Sequence, residues 1–166
     1  IIRNGTFEDG PEVSTFFTTT HGETDYLLSY PEESTRDDEK QSNYLKETTE
    51  SDREIELLAI VDGKVVGMAG FNAIGSKYKV RHRAEFGITV SKNYWGQGIG
   101  KAIMNACIEC AKEAGYIQLE LDVVADNTRA IELYKKLGFI EFGRNPKGFQ
   151  SKYSGFQELV YMRLEL

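Results

Sequence analysis

The sequence predicts a single α+β domain: a mixed, mostly antiparallel sheet of six to seven strands, flanked by helices. Several short runs alternate apolar and polar residues, as half-buried strands do. Other segments repeat apolar residues at steps of three and four, as amphipathic helices do. With 166 residues, 40% of them hydrophobic, the chain is long enough to bury one core, so residues 1–166 are assigned to one domain.

The first third of the chain alternates short elements with charged and turn-rich segments. Residues 1–3 predict a strand, and Thr6, which two acidic residues follow closely, predicts a helix start. Residues 22–33 are turn-rich and predict a loop. Residues 34–51 are strongly charged and predict a helix.

The middle of the chain carries the clearest strand signals. Apolar runs at 55–61 and 64–73 are joined by Asp62-Gly63, which predicts a β-hairpin. Residues 80–91 predict the next strand, because apolar residues alternate there with Glu85 and its polar or small neighbours.

A helix and three further strands complete the predicted order. An apolar stripe from Ile99 to Ala114 predicts a helix that Gly115 ends. The remaining elements are a strand (117–123), a helix (127–137) and two closing strands (139–142 and 156–164) joined by a loop (144–155).

Charge and composition exclude several classes of protein. The formal net charge of -6 argues against a nucleic-acid partner and mildly favours a cationic one. No apolar run reaches the length of a membrane span, so we expect no membrane partner. The first ten residues lack the pattern of a signal peptide.

The cysteines and histidines predict no redox or metal chemistry. Cys107 and Cys110 lie within a predicted helix, where core packing is the expected role, and two cysteines indicate a reducing, cytoplasmic setting. His21 and His82 lie in different segments without a second soft ligand, so we predict no metal site.

The stretch WGQGIGK, which begins at Trp95, predicts an anion-binding loop. Free amides at a helix start, with the helix dipole behind them, favour phosphate or pyrophosphate. The P-loop pattern fails, because Trp95 stands at its first glycine and Ala102 at its hydroxyl. The dinucleotide pattern fails, because Lys101 replaces its third glycine. Trp95 itself either packs on the ligand or anchors the loop.

Two motifs resemble those of the GNAT N-acetyltransferase superfamily. Gln97 to Ala102 fits Q/R-x-x-G-x-G/A, the family's pyrophosphate signature, and Asn127 to Phe139 resembles N-x-x-A-x-x-L-Y-x-x-x-G-F. The order of elements resembles that family over nearly the whole chain. The stretch Arg83 to Phe86 and the C-terminal end resemble the branch that contains spermidine and ribosomal-protein alanine acetyltransferases.

The resemblance implies acetyl-CoA as the acyl-donor cosubstrate, with no metal. The pyrophosphate would lie on the amides of the glycine loop, and the pantetheine arm would pair with the exposed backbone of a splayed strand. The implied cofactor-binding residues are Ile88, Thr89, Val90, Gly96, Gln97, Gly98, Ile99, Gly100, Lys101, Asn127, Ala130 and Tyr134.

The resemblance also implies two catalytic residues. Glu85 would take a proton from the attacking amine, and Tyr134 would give one to the departing thiolate. For Glu85 the alternatives are an exposed glutamate paired with Arg83, or a chain of water molecules as the base. For Tyr134 the alternative is core packing with a tethered hydroxyl.

The predicted activity is transfer of acetyl to a primary amine by direct attack in a ternary complex. A small amine, either a polyamine or an amino-acid derivative, is the first expectation for the acceptor, and a protein N-terminus or lysine is the second. A non-catalytic acyl-CoA sensor and a longer acyl donor stay open. Pairing through edge strands or the last hairpin, as in many relatives, would make a homodimer.

Three segments are expected around the acceptor. The acidic stretch 32–56 is either a solvated helix face or a funnel for a cationic amine. The loops predicted at 22–33 and 144–155 would shape the two sides of the acceptor site.

Overall fold

The chain alternates strands and helices in an order close to the predicted one. A computed structural model describes residues 1–33 and 36–166. Its elements are β1 (Ile2–Asn4), α1 (Gly10–Glu23), α2 (Asp38–Glu50), β2 (Ile55–Val61), β3 (Lys64–Ala73), β4 (Arg83–Val90), α3 (Ile99–Glu113), β5 (Gln118–Val124), α4 (Thr128–Lys136), β6 (Ile140–Ser151) and β7 (Gly155–Glu165).

The seven strands form one sheet in the order β1-β2-β3-β4-β5-β7-β6. β4 and β5 run parallel, and the other neighbouring pairs are antiparallel. The prediction of a mixed, mostly antiparallel sheet flanked by helices is therefore confirmed.

The two faces of the sheet bury two separate clusters of apolar side chains. The larger cluster joins α3 and α4 to alternate residues of β2, β3, β4, β5 and β7. The smaller cluster, on the other face, packs α1 and α2 against β2 and β3 and consists of Val13, Phe16, Leu45, Leu58 and Val65. Since α1 and α2 reach only part of their face, a depression remains over β4 and β5.

The first helical segment begins where the sequence predicts. The Thr6 amide donates a hydrogen bond to Asp9 Oδ2 at 2.8 Å, and the Arg3 guanidinium forms an ion pair with the same carboxylate at 2.7 Å. α1 continues to Glu23, so the predicted loop begins two residues later than position 22.

The charged segment is helical from Asp38 onward. The Asp37 side chain caps it by accepting a hydrogen bond from the Lys40 amide at 2.9 Å. The start that the sequence predicts for this helix, Ser34 and Thr35, lies outside the described residues.

The hairpin of β2 and β3 has the predicted bounds. Its turn residues Asp62 and Gly63 have φ values of 51° and 77°, as a type I′ turn requires. The strand predicted at 80–91 begins only at Arg83, because residues 80–82 form a turn.

The loop predicted at 144–155 is wrong over residues 144–151. β6 runs to Ser151 and pairs with β7, with register shifts between Glu141 and Gly143 and between Asn145 and Phe149. The second shift contains Pro146, which cannot donate to a ladder but is tolerated at an irregularity of an edge strand.

Candidate active site

A cleft of about 800 Å³ opens beside the β4–β5 pair. β4, the N-terminal end of α3 and one side of α4 line it, and the end of α1 with the segment after it closes the other side. The glycine loop and the two predicted catalytic residues therefore face one cavity.

The cleft exists because β4 and β5 pair over only part of their length. Their register covers Arg83 to Glu85 of β4 against Gln118 to Glu120 of β5. β4 then continues to Val90 and β5 to Val124 without further pairing. The two strands diverge beyond Glu85 and leave backbone groups of β4 facing a gap.

The β3–β4 ladder identifies those backbone groups. The Ser91 amide donates to the Val66 carbonyl at 2.9 Å, so odd-numbered β4 residues bond to β3. By the same alternation, Ile88 and Val90 direct their amides and carbonyls toward the gap. The backbone groups of Thr89 face β3, which leaves its side chain to line the cleft.

Trp95 forms a hydrogen bond with one of the β4 carbonyls that face the gap. Its indole nitrogen donates a hydrogen bond to the Val90 oxygen at 2.8 Å, and the Arg129 guanidinium lies 3.7 Å from the centre of its ring. Trp95 thus ties the glycine loop to the end of β4. The Ile88 amide and carbonyl and the Val90 amide remain to pair with an extended ligand.

The glycine loop has the backbone of an anion-binding helix start. Gly96 and Gly98 have φ values of 74° and 81°, and Gly98 is the N-cap of α3. The Ala102 amide makes the first helical hydrogen bond, to the Gly98 carbonyl, so the amides just before it have no partner inside the helix.

Most of the implied cofactor-binding residues line the cleft. They are Ile88, Thr89, Val90, Gly96, Gly98, Ile99, Gly100, Lys101, Asn127, Ala130 and Tyr134. Gln97 is different, because its side chain is exposed and donates to the Asn93 carbonyl at 3.3 Å.

Close packing of α3 on α4 shapes the same end of the cleft. A Cβ on Gly100 would lie 3.3 Å from Leu133 of α4, so glycine permits the approach. The Asn127 side chain caps α4 by accepting from the Ala130 amide at 3.4 Å. Lys101, Arg129 and Lys136 bring positive charge to this end, which suits a pyrophosphate.

Tyr134 lies in the wall of the cleft and is 8% exposed. Its ring packs on Phe139 with 5.8 Å between ring centres, and its hydroxyl has no hydrogen-bond partner among residues 1–33 and 36–166. Burial raises the pKa of Tyr134 to about 12. The phenol therefore keeps its proton at neutral pH and can donate it.

Glu85 is exposed on β4 and lines the cleft opposite Asn72 of β3. Arg83 does not pair with Glu85, because the Arg83 guanidinium forms an ion pair with the Glu120 carboxylate of β5. Its Nη2 donates to Glu120 Oε1 at 2.6 Å. Within the described part of the chain the Glu85 carboxylate has no ion pair or hydrogen bond, so it is available to a polar substrate.

Glu56, on β2, is a cleft residue that the sequence did not single out. The Tyr44 hydroxyl of α2 donates to its Oε2 at 3.0 Å. Of the described residues in the acidic stretch 32–56, Glu56 alone lines the cleft. The position becomes recognisable only from strand register, because Glu56 pairs with Gly70 and Gly70 pairs with Gly87.

Two segments meet over the open side of the cleft. Tyr26, Leu27 and Leu28 line it from the segment after α1. The Lys152 amide of the β6–β7 turn donates to the Tyr30 hydroxyl at 2.9 Å, and that hydroxyl donates to Asp25 at 2.9 Å. The β6–β7 turn therefore supports the segment that covers the cleft.

The cysteines and histidines lie apart from the chemistry of the cleft. Cys107 is buried in the larger core and His21 stacks on Phe17 with 3.8 Å between ring centres. Among the residues that the structure describes, no group of three or more His, Cys, Asp or Glu side chains could hold a metal ion. No helix in the same ranges is both long and apolar enough to cross a membrane.

The comparison with protein families matches residues 20–139 to the model described as the acetyltransferase (GNAT) family. The chain belongs to the GNAT acetyltransferase family. A solved structure of a GNAT acetyltransferase from Streptococcus pneumoniae superposes with a TM-score of 0.95 at 28% identity, covering 100% of this chain and 99% of that one.

Two other similar proteins carry names that state an acceptor. A ribosomal-protein-alanine N-acetyltransferase from Brucella melitensis superposes with a TM-score of 0.87 at 27% identity, covering 100% of this chain and 99% of that one. The L-amino acid N-acetyltransferase AaaT of Escherichia coli is 32% identical over 108 residues. That match covers 64% of this chain and 65% of the relative's length, a little under two thirds.

Proposed function

We propose that this GNAT protein transfers the acetyl group of acetyl-CoA to a primary amine by direct attack. One observation carries the proposal: Glu85, Tyr134 and the unpaired backbone of β4 face a single cleft that ends at the glycine loop. The membership of the family and the names of the similar acetyltransferases support the same reaction class.

The residues present fit acetyl-CoA. The free amides at the start of α3, with Lys101 and Arg129 beside them, suit its pyrophosphate. The Ile88 amide and carbonyl and the Val90 amide suit its pantetheine amides. β4 and β5 are unpaired beyond Glu85 and Glu120, so an extended chain could bond to the free edge of β4 there.

Glu85 and Tyr134 divide the proton transfers. As the amine nitrogen forms its bond to the acetyl carbon, Glu85 takes the proton that the nitrogen loses. As the carbon–sulfur bond breaks, the Tyr134 hydroxyl gives its proton to the sulfur. One of the two β4 backbone amides beside the gap would instead hold the acetyl oxygen, where negative charge develops.

The acceptor is proposed to be a small primary amine. The relatives named for L-amino acids and for ribosomal-protein alanine suggest two classes to test beside alkyl amines. Leu27 and Phe149, two apolar residues that line the cleft, would contact its carbon chain.

Release of free thiol from acetyl-CoA, measured over a panel of alkyl amines, polyamines, amino acids and short peptides, tests the proposal. We expect turnover with one acceptor class. Tyr134→Phe and Glu85→Gln should each lower kcat by roughly 100-fold or more, because each removes one proton transfer. The acetyl-CoA dissociation constant should change little in Glu85→Gln.

The matched control is Tyr116→Phe. Tyr116 is also buried, but its hydroxyl donates to the Arg53 carbonyl at 2.6 Å and the residue does not line the cleft. Its loss should lower stability and leave kcat unchanged. Full turnover in Tyr134→Phe would remove that residue from the mechanism, and tight acetyl-CoA binding without turnover of any acceptor would favour a sensor.

A further inference from the structure

Glu56 lies at the end of a short trough in the floor of the cleft. Gly70 of β3 and Gly87 of β4 are register partners and present no side chain, and both line the cleft. A Cβ at Gly87 would meet no atom within 4 Å. The glycine trough, defined by Gly70 and Gly87, therefore runs open from the β4–β5 gap to β2.

The Glu56 carboxyl fills the far end of this glycine trough. A Cβ on Gly70 would lie 2.6 Å from Glu56 Oε2 and would also clash with the Ile55 carbonyl, so only glycine admits the carboxyl at that place. The Tyr44 hydroxyl holds Oε2 from the α2 side at 3.0 Å. Oε1 has no hydrogen-bond partner within residues 1–33 and 36–166.

Partial burial favours binding of a hydrogen-bond donor to this carboxyl. Desolvation raises the pKa of Glu56 to about 7, although the Tyr44 hydrogen bond opposes the shift. A half-buried carboxylate with one oxygen unpaired within the described residues regains solvation when a cationic donor binds it.

The charges along the cleft point to what that donor is. Carboxylates line the cleft from α1 and the sheet (Glu23, Glu56, Glu85 and Asp122), and Glu132 lines it from α4. The cations that line the cleft within the described ranges, Lys101, Arg129 and Lys136, all lie on α3 and α4, at the cofactor end. In the part of the chain that the structure describes, a carboxylate on the acceptor would therefore find no lining cation on the strands that form the glycine trough.

From this geometry we infer that Glu56 is a specificity-determining residue, which binds a second ammonium group of a diamine acceptor that carries no carboxylate. The inference rests on the proposed acetyl transfer for the position of the first amine, which lies at Glu85. Gly70 and Glu85 are diagonal neighbours across β3 and β4, which places them about 7–8 Å apart. A short alkyl diamine spans that distance.

Matched acceptors and variants test the inference. The acceptors are putrescine against butylamine, which lacks the second amine, and cadaverine against lysine, which adds a carboxylate. The variant is Glu56→Gln. The control is Glu54→Gln, which changes a neighbouring carboxylate that does not line the cleft. Both kcat/KM and equilibrium binding of each amine are measured, the latter by calorimetry on the CoA-bound protein.

The wild type should prefer putrescine over butylamine, and cadaverine over lysine, by roughly tenfold or more in kcat/KM, as a hydrogen bond between charged groups implies. In Glu56→Gln the ratio of kcat/KM for putrescine to that for butylamine should fall close to one. The fall should come from a higher KM for putrescine, while kcat/KM for butylamine stays unchanged. Glu54→Gln should keep both preferences. Tyr44→Phe, which keeps the carboxyl and removes its tether, should reduce the putrescine preference less than Glu56→Gln does.

Two results would overturn the inference. One is a wild type that turns over butylamine as well as putrescine, and the other is a Glu56→Gln variant that loses both acceptors equally. Failure of the proposed reaction is distinguishable, since no amine would then be acetylated. If calorimetry still shows putrescine binding that depends on Glu56, the role of Glu56 stands without the reaction.

Discussion

The indole nitrogen of Trp95 lies 2.8 Å from the Val90 carbonyl oxygen, which joins the glycine loop to the last residue of β4. This hydrogen bond links the two parts of the proposed acetyl-CoA site, the amides of the loop and the exposed backbone of β4. The loop can be loosened without a change in any residue of the proposed chemistry.

Trp95→Phe should weaken acetyl-CoA binding by roughly fivefold, because one hydrogen bond contributes about 1 kcal/mol. Phenylalanine keeps one aromatic ring for Arg129 to cover and removes the indole N–H. Calorimetric titration with acetyl-CoA measures the effect, with Tyr153→Phe, at an exposed turn outside the cleft, as the control. An unchanged dissociation constant would mean that the tether does not order the loop.

Gly98→Ala should damage the same site through the backbone. Gly98 has φ 81°, where a side chain costs about 1–2 kcal/mol. Gly63, in the β2–β3 turn, has φ 77° and the same open surroundings, so Gly63→Ala is a matched control. Both variants should lower the melting temperature similarly, and only Gly98→Ala should weaken acetyl-CoA binding. Equal binding in both variants would contradict the role of the loop.

Local chemistry explains which parts of the fold could be predicted. The β2–β3 hairpin has its predicted bounds because Asp62-Gly63 supplies the turn by itself. The extension of β6 to Ser151 could not be predicted, because Pro146 and Gly148 are typical of a turn and pairing with β7 overrides them. Tertiary pairing also explains why the predicted loop at 144–155 is wrong over residues 144–151.

The candidate site also contains residues that the sequence could predict and residues that only strand pairing reveals. Glu85, Tyr134 and the glycine loop lie in contiguous motifs, so their place on one cleft could be anticipated. The partner of Arg83 could not, because Glu120 becomes its neighbour only when β4 and β5 pair in parallel. The sequence could not identify Glu56 as a cleft residue for a similar reason, since its surroundings depend on register across three strands.

Gly87→Ala separates stability from activity. Alanine suits a strand better than glycine by about 0.5–1 kcal/mol, and the new methyl would touch no atom within 4 Å. The melting temperature should therefore stay the same or rise. The methyl projects into the glycine trough, so kcat/KM for the acceptor should fall while acetyl-CoA still binds. Unchanged kcat/KM would exclude the glycine trough as the acceptor path.

Asp9→Asn should lower stability near neutral pH and remove a pH dependence at low pH. The hydrogen bond from Arg3 lowers the pKa of Asp9 to about 2, and a hydrogen bond from Thr6 adds to this effect. Burial of the carboxylate acts in the opposite direction and is outweighed. A carboxyl whose pKa is depressed on folding stabilises the protein above its ordinary value near 3.8, and that contribution is lost as pH falls toward 2.

Thermal melts between pH 2 and 7 measure this effect of Asp9. At pH 7 the variant should lose about 1 kcal/mol of unfolding free energy, allowing for the exposure of Arg3. Asp38→Asn is the control, because Asp38 and its partner Arg36 are both exposed and their ion pair should matter less. An equal effect in the two variants would contradict the importance of the Arg3–Asp9 pair.

Glu56 should make the unfolding free energy depend on pH in the opposite direction to Asp9, and Glu56→Gln should remove that dependence. Burial raises the pKa of Glu56 from 4.5 to about 7, so the folded protein holds a proton there that the unfolded chain releases. The unfolding free energy that this group contributes is therefore greatest below pH 4.5 and falls as pH rises to about 7. The facing Tyr44 has a raised pKa and does not titrate in this range.

Melting temperatures measured from pH 4 to 8 in the absence of any amine check this sign. The wild type should lose stability relative to Glu56→Gln as pH rises, and Glu54→Gln should follow the wild type. If putrescine is then added above pH 7, it should stabilise the wild type more than Glu56→Gln, because the carboxylate regains a partner only in the former. Parallel curves for wild type and Glu56→Gln would mean that the Glu56 carboxyl is solvated, and that its place in the glycine trough costs nothing.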